Sequence, residues 1–207
     1  MDMYQAKEDV ACFMRRLYAQ RLTTTSGGNI SFRISDQVFI TPSQTDKATI
    51  KAEEIGILSI KGENQTPHLK SSMENKMHLA IYNFRPDVNA IVHAHPIFAT
   101  SFCISKKEIK TNLAGEAWAV VGTPVKADYQ LMGTNDLANV VAEASLKGNV
   151  ILLENHGVLA VGNNLLQAYD RLEVTEAAAK MTFITDLMGE RKELSESELK
   201  EIDNLFT

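Results

Sequence analysis

Five histidines occur in 207 residues, and two of them, His93 and His95, stand two apart at the end of the apolar run NAIVHAH. The β-branched residues of that run predict a buried strand. On a strand, residues i and i+2 share a face, so both imidazoles project together while Ala94 faces the other way. Two rings so placed can ligate one ion at about 2.0–2.1 Å each. An HxH pair alone also recurs as ordinary core or surface histidines. A third histidine, His156, lies in ENHGV, where one apolar run breaks and another begins, followed by Gly157 as a tight turn would require. HxH plus one distant histidine is the three-nitrogen pattern of a catalytic zinc site with an open position. Glu74, in SSMENKMH, is a fourth candidate at the start of a helix, where the helix dipole favours a carboxylate. On its own it reads as a plain first-turn glutamate. His78, one turn later, is expected to pack or to support the site from behind. His68, beside Pro67 in a polar loop, is read as surface.

Two further segments suit an anion. TSGGNIS offers Gly28, whose backbone N–H can approach an anion closely, together with Asn29 and hydroxyls. It matches neither a Walker nor a Rossmann pattern, so a nucleotide is not implied. LKSSMEN places Ser71 and Ser72 just before the helix that carries Glu74, where hydroxyls and free amides make an anion site. Each segment alone reads as a turn and a cap. Beside a metal triad they point to a phosphorylated substrate.

The elements that must position these groups follow from periodicity. Val10, Phe13, Met14, Leu17 and Tyr18 recur at helical spacing, which predicts a helix over 3–21. The turn formers of TTTSGGNIS end it. ISFRI and VFITP predict a hairpin around Ser35-Asp36-Gln37, and ILSI another strand. A helix is expected over 73–84, stopped before Pro86. The strand NAIVHAH follows, then a short helix over 97–103. Short strands are expected at 117–121 and 123–126, and a helix from an N-cap at Thr134 or Asn135. Two strands flank Glu154 to Gly157. A long helix over 164–188 and a shorter one near 195–204 complete the chain. The fold class expected is α/β: one domain over residues 1–207, with a central, mainly antiparallel sheet and helices on its faces.

Composition narrows the field. The chain is 44% hydrophobic and 23% charged, with a formal net charge of -5, which speaks against a general nucleic-acid binder. No run reaches the roughly 18 apolar residues of a membrane span, and no signal peptide is visible. Cys12 and Cys103 form no CxxC pair and are expected to be two buried, reduced thiols, which suggests a cytoplasmic location. No partner among nucleic acids or membranes is therefore expected.

SGGNIS, ITPS, SSMENKMHLAIY, RPDVNAIVHAHP and LLENHGVLAVG occur in that order, and the set resembles the class II aldolase/adducin family over about residues 5–188. The resemblance is nearest to its sugar-phosphate aldolases, of the fuculose-phosphate type. It implies a single α/β domain, a homotetramer with active sites at subunit interfaces, and one zinc ion per subunit held by His93, His95 and His156. Glu74 matches the catalytic acid/base. Gly28, Asn29, Ser43, Gln44, Ser71 and Ser72 match phosphate-binding positions. The implied reaction is cleavage of a ketose 1-phosphate to dihydroxyacetone phosphate and an aldehyde through a metal-stabilised enediolate. Three imidazoles and a carboxylate also suit manganese, cobalt or iron.

The chain departs from the family pattern at several points. Met73 separates the serine pair from Glu74, which makes Ser72 the better phosphate ligand of the two. Ser43-Gln44 stands where a glycine is usual. The family's aldolases also bring a tyrosine from a neighbouring subunit, in the segment matching about 110–118; this chain has no tyrosine there, and Trp118 or Glu116 is expected in that space. Tyr129 matches a tyrosine before the next helix. Two other readings of the resemblance remain open: a pentulose-phosphate 4-epimerase or a methylthioribulose-phosphate-type dehydratase on the same metal site, and an adducin-like interaction domain. Epimerases usually carry aspartate at the position of Glu74, and adducins lose the metal histidines that this chain keeps.

Overall fold

A computed structural model describes residues 2–205 of the chain, so the ends of the expected 1–207 unit lie outside the described residues. In chain order the elements are α1 (Met3–Ala19), β1 (Asn29–Ile34), β2 (Gln37–Ile40), β3 (Gly56–Ser59), α2 (Asn75–Phe84), β4 (Ala90–Ala94) and α3 (Ile97–Cys103). Then come α4 (Gly115–Val121), β5 (Val125–Ala127), α5 (Asn135–Ser145), β6 (Val150–Leu153), β7 (Gly157–Gly162), α6 (Leu165–Met188) and α7 (Glu196–Asp203). The strands form one sheet in the order β3-β2-β1-β4-β7-β6-β5. Neighbours are antiparallel except for the edge pair β5 and β6. The expected α/β architecture, mainly antiparallel with helices on both faces, is what forms.

Alternation within the strands sorts the core into two layers. Ala90, Val92 and Ala94 of β4, with Val158 and Ala160 of β7, pack against α1, α3, α4 and α6. Ile91, Leu159 and Val161 face the opposite way, onto α2 and α5. The two central strands are thus buried on both sides, which is why their sequences run apolar without a polar alternate. His93 shares the face of Ile91 and is 0% exposed. It is a polar group set into the layer beneath α2.

The helix caps follow the sequence signals. Thr134 caps α5 by accepting the N–H of Leu137, and Asn164 caps α6 by accepting that of Gln167. One expected strand is corrected: residues 117–121 lie in α4. The Trp118 N–H bonds the Ala114 carbonyl, and Gly122, at φ 64, closes the helix against Trp118. A short Ala/Val run is compatible with either state, and here packing against α6 decides it. The cysteine expectation is half corrected. Cys103 is buried, with its thiol on the Ala99 and Gly157 carbonyls, but Cys12 lies on the exposed side of α1. Among the described residues, no helix is long and apolar enough to cross a membrane.

Candidate metal centre and anion cleft

β4 sits between β1 and β7, and its register sets Asn29 opposite His93 and Leu159 beside it. The strand ends at Ala94, so His95 lies just past it. The two rings still meet, nearly perpendicular at 88°, with centroids 4.9 Å apart. The turn between β6 and β7 brings in the third ring, 4.8 Å from His93 and 5.6 Å from His95. Ligand atoms of the three histidines all lie within 4.8 Å of one another. The turn's left-handed residue is Asn155, at φ 53, whereas Gly157 does not have a positive φ. The reason for glycine at 157 is therefore space: a Cβ there would stand 2.5 Å from His95 Cδ2 and 2.7 Å from the Ala94 carbonyl.

Glu74 occupies the N-cap position of α2 without capping it, so its side chain is free to reach the rings. Oε2 lies 3.3 Å from His93 Nε2, and Oε1 lies 3.0 Å from His156 Nε2. Oε2 also accepts a 2.7 Å hydrogen bond from Asn29 Nδ2. The fit of a cation follows from the protons. His93 Nδ1 is 3.0 Å from the Val158 carbonyl, which can only accept, so Nδ1 carries the hydrogen and Nε2 presents a bare lone pair. That lone pair faces a carboxylate, has no hydrogen-bond partner, and is buried, as are Glu74 Oε1 and His156 Nδ1. Opposed acceptors in a dry site repel each other. A divalent transition ion between them would convert that repulsion into ligation, and the second bond of His93 would fix its ring in the ligating tautomer.

The charges are consistent with this arrangement. Burial pulls His93 below its ordinary value against the opposing effect of Glu74. Burial, with His93 and His156 adding to it, pushes His95 down to about 3. Both rings are therefore neutral at pH 7, the form that binds metal. Burial pushes the Glu74 carboxyl up, the Asn29 amide that donates to it pulls it down, and the net direction is downward, so the group is an ionised carboxylate at pH 7.

A cleft of about 470 Å³ runs from this centre to a polar end formed by Gly28, Ser43, Gln44, Lys70 and Ser72. Gly28 has φ 65, and a Cβ there would stand 2.7 Å from the His93 carbonyl, so only glycine fits. Ser43 Oγ accepts the Met73 N–H and Ser72 Oγ that of Glu74, which leaves each hydroxyl hydrogen free to donate into the cleft. Gln44 takes the left-handed backbone of the expected glycine, at φ 60, and its side chain accepts from Lys70 Nζ at 2.7 Å. Ser71 is not brought into the cleft; its hydroxyl accepts from Asn75 Nδ2. Asn29 lines the cleft, but its side chain is engaged by Glu74 and His78. Lys70 is a cation at the anion end that sequence reasoning missed, since one lysine before a serine pair carries no pattern. Trp118 donates to Asp203 of α7, and neither it nor Glu116 lines the cleft of its own chain, in keeping with the expectation that this segment serves a neighbouring subunit's site. Tyr129 is half exposed, with its N–H on Glu154.

Lys47 braces the Pro42–Gln44 turn from beneath. It is 1% exposed, and Nζ donates to the Pro42 carbonyl at 2.6 Å. Burial pushes its ammonium down to about 8, with Glu54 pulling the other way. Between that value and the ordinary 10.5 the unfolded chain holds a proton that the folded chain has released. Stability should therefore rise with pH across this window, by about 3 kcal/mol in total. Urea unfolding of the parent and of Lys47→Met across the window should show the rise only in the parent. Parallel curves would mean that Lys47 is not the group responsible.

Residues 8–183 match the model for the class II aldolase and adducin N-terminal domain, and the chain belongs to that family. The class II aldolases are metal-dependent, and the chain is an enzyme of the lyase class. It is similar to a 5-deoxy-D-ribulose 1-phosphate aldolase of Bacillus thuringiensis serovar kurstaki, 32% identical over 100% of this chain and 97% of the relative. It is also similar to a 3-oxo-tetronate 4-phosphate decarboxylase of Haemophilus influenzae, 31% identical over 96% of each chain. Among solved structures, an L-fuculose 1-phosphate aldolase superposes with a TM-score of 0.90 at 31% identity, covering 98% of this chain and 96% of the other.

Proposed function

We propose that this chain is a zinc-dependent aldolase that cleaves a small ketose 1-phosphate to dihydroxyacetone phosphate and an aldehyde. The observation that carries the reading is the Glu74 carboxylate set 3.0 and 3.3 Å from two of three clustered imidazoles, at one end of a cleft whose other end offers hydroxyls and a lysine. The names of two aldolase relatives support the substrate class. His93, His95 and His156 would hold the ion. When bound, it supplies Lewis-acid withdrawal of electrons from the carbonyl and the neighbouring hydroxyl oxygen.

The chain's own residues account for the rest. Gly28, Ser43, Gln44, Ser72 and Lys70 hold the phosphate, which fixes the carbon chain along the cleft. As the bond between carbons 3 and 4 breaks, the hydroxyl on carbon 4 gives up its proton and becomes the aldehyde. The ionised Glu74 carboxylate takes up that proton and delivers it to carbon 3, where the electron pair stays, so the carboxylate ends as it began. In the reverse direction the same carboxylate removes that proton. Exposed apolar side chains near the end of α6 (Phe183, Ile184, Leu187 and Met188) support association of copies, and the number four rests on family resemblance. Two unpaired cysteines agree with a reducing, cytoplasmic setting, and the whole chain is taken as one domain.

The test is to incubate the zinc-loaded protein with dihydroxyacetone phosphate and a panel of short aldehydes, with and without chelator. Chelator-sensitive ketose phosphate is expected. No product from metal-loaded protein would overturn the reading. Release of carbon dioxide from a 3-oxo acid phosphate would then point to the decarboxylase chemistry named for the Haemophilus influenzae relative, which also breaks a bond beside a carbonyl.

A further inference from the structure

Behind Glu74, two ladders of polar side chains face each other. On α2, Glu74, His78 and Tyr82 stand at i, i+4 and i+8, one stripe of the helix. On β1, Asn29 and Ser31 share one face of the strand. Four helical residues rise about 6 Å, and two strand residues rise about 6.7 Å, so the rungs stay in step. Asn29 Nδ2 meets Glu74 Oε2 at 2.7 Å, and Asn29 Oδ1 meets His78 Nε2 at 2.5 Å. His78 Nδ1 meets Ser31 Oγ at 2.6 Å, which meets Tyr82 Oη at 2.7 Å. His78 and Ser31 are 0% exposed, so no water completes a bond that the ladder leaves unmade.

The protons can be placed from one end. A carboxylate only accepts, so Asn29 must turn its amide hydrogens to Glu74 and its oxygen to His78. His78 Nε2 must then donate, which leaves Nδ1 as an acceptor. Ser31 must donate to Nδ1, and its oxygen is left to accept from Tyr82. Every donor in the ladder therefore points toward Glu74. Aligned bonds of this kind polarise and strengthen one another.

We propose that His78 is a positioning residue: held in its Nε2–H tautomer by Ser31 and Tyr82, it locks Asn29 and through it the orientation of the Glu74 carboxylate. The proposal rests on the aldolase reading for its kinetic consequence but not for its geometry. Burial pushes the ring down to about 3, so it stays neutral and keeps one tautomer across the working range. The family resemblance assigned Asn29 to the phosphate; the ladder gives its side chain this second task.

Two measurements separate the geometry from the reaction. Nitrogen-15 correlation spectra of metal-free protein should show His78 neutral and protonated at Nε2. An Nδ1–H tautomer, or a protonated ring at pH 7, would overturn the proposal whatever the protein catalyses. In the aldolase assay, His78→Leu should lower kcat by about 10–100-fold with little change in KM and with full metal content, as expected when a supporting partner behind a site is removed. His78→Gln, which keeps a donor at the Nε2 position, should recover most of that loss. Tyr82→Phe, a milder change, should lower kcat several-fold. In a Glu74→Gln background, His78→Leu should have no further effect on kcat, because residues acting as a unit are not additive. Unchanged kcat in His78→Leu, or equal losses in both backgrounds, would overturn the positioning role. A parent protein without aldolase activity would overturn only the proposed reaction, and the tautomer would still decide the ladder.

Discussion

Glu74→Gln should lower aldolase turnover by about 10²–10⁴-fold, the usual worth of a positioned general acid/base, and should make the metal-free protein more stable. The two effects have one cause. The carboxylate is 8% exposed and faces the bare Nε2 lone pair of His93 at 3.3 Å. Glutamine can keep its oxygen on Asn29 Nδ2, where Oε2 now accepts, which replaces the charge facing His93 with a neutral oxygen and sets the amide nitrogen at the Oε1 position, 3.0 Å from His156 Nε2. The repulsion at His93 weakens, and the unpartnered buried atom at Oε1 becomes a donor toward His156, worth about 1–3 kcal/mol where a buried group had no partner. The glutamine cannot take or give the proton, so turnover falls although three imidazoles remain to bind metal. Denaturant unfolding of both metal-free proteins, with turnover under saturating zinc, checks both claims. Undiminished turnover would remove Glu74 from the mechanism. Lower metal-free stability would mean that the carboxylate does not oppose the rings.

His93→Ala should abolish stoichiometric metal binding and, with it, activity. Of the three rings, His93 is the most tightly specified: it is 0% exposed, its Nδ1 is anchored to Val158, and its Nε2 is aimed at the shared centre. Its neighbours His95 and His156 come from the segment after β4 and from a turn, and two rings leave the ion short of a ligand. Because a ligand that binds only the folded state stabilises it, zinc at a thousandfold excess over its Kd should add about 4 kcal/mol to the parent. The variant should show no such zinc-dependent gain. Full metal occupancy in His93→Ala, measured on dialysed protein, would sink the ligand assignment.

Much of the site was legible because its motifs are local. The run AIVHAHP carried its own strand prediction, and ENHGV its own break. What failed was long-range or ambiguous. The strand expected at 117–121 is helix α4 because five apolar residues fit either state until α6 supplies a surface. The strand ends before His95, so the two rings meet through geometry that the shared-face argument covers only for its first member. Gly157 was read as a turn residue, and its actual requirement is the approach of His95, which no spacing reveals. His78 was expected to pack or support. Its partners lie 47 and 49 residues away on β1, so the ladder emerges only when strand and helix are laid side by side.

The cleft is graded from dry to wet. His93 is sealed, while Met73 and Met132 on the rim of the cleft are 61% and 55% exposed. Substitutions near His93 must fit around glycines that admit no Cβ and hydrogen bonds that admit no second direction. Substitutions at the mouth meet mostly solvent and cost little. The buried histidine centre therefore tolerates far less change than the rim, where a side chain can be exchanged without disturbing the groups behind it.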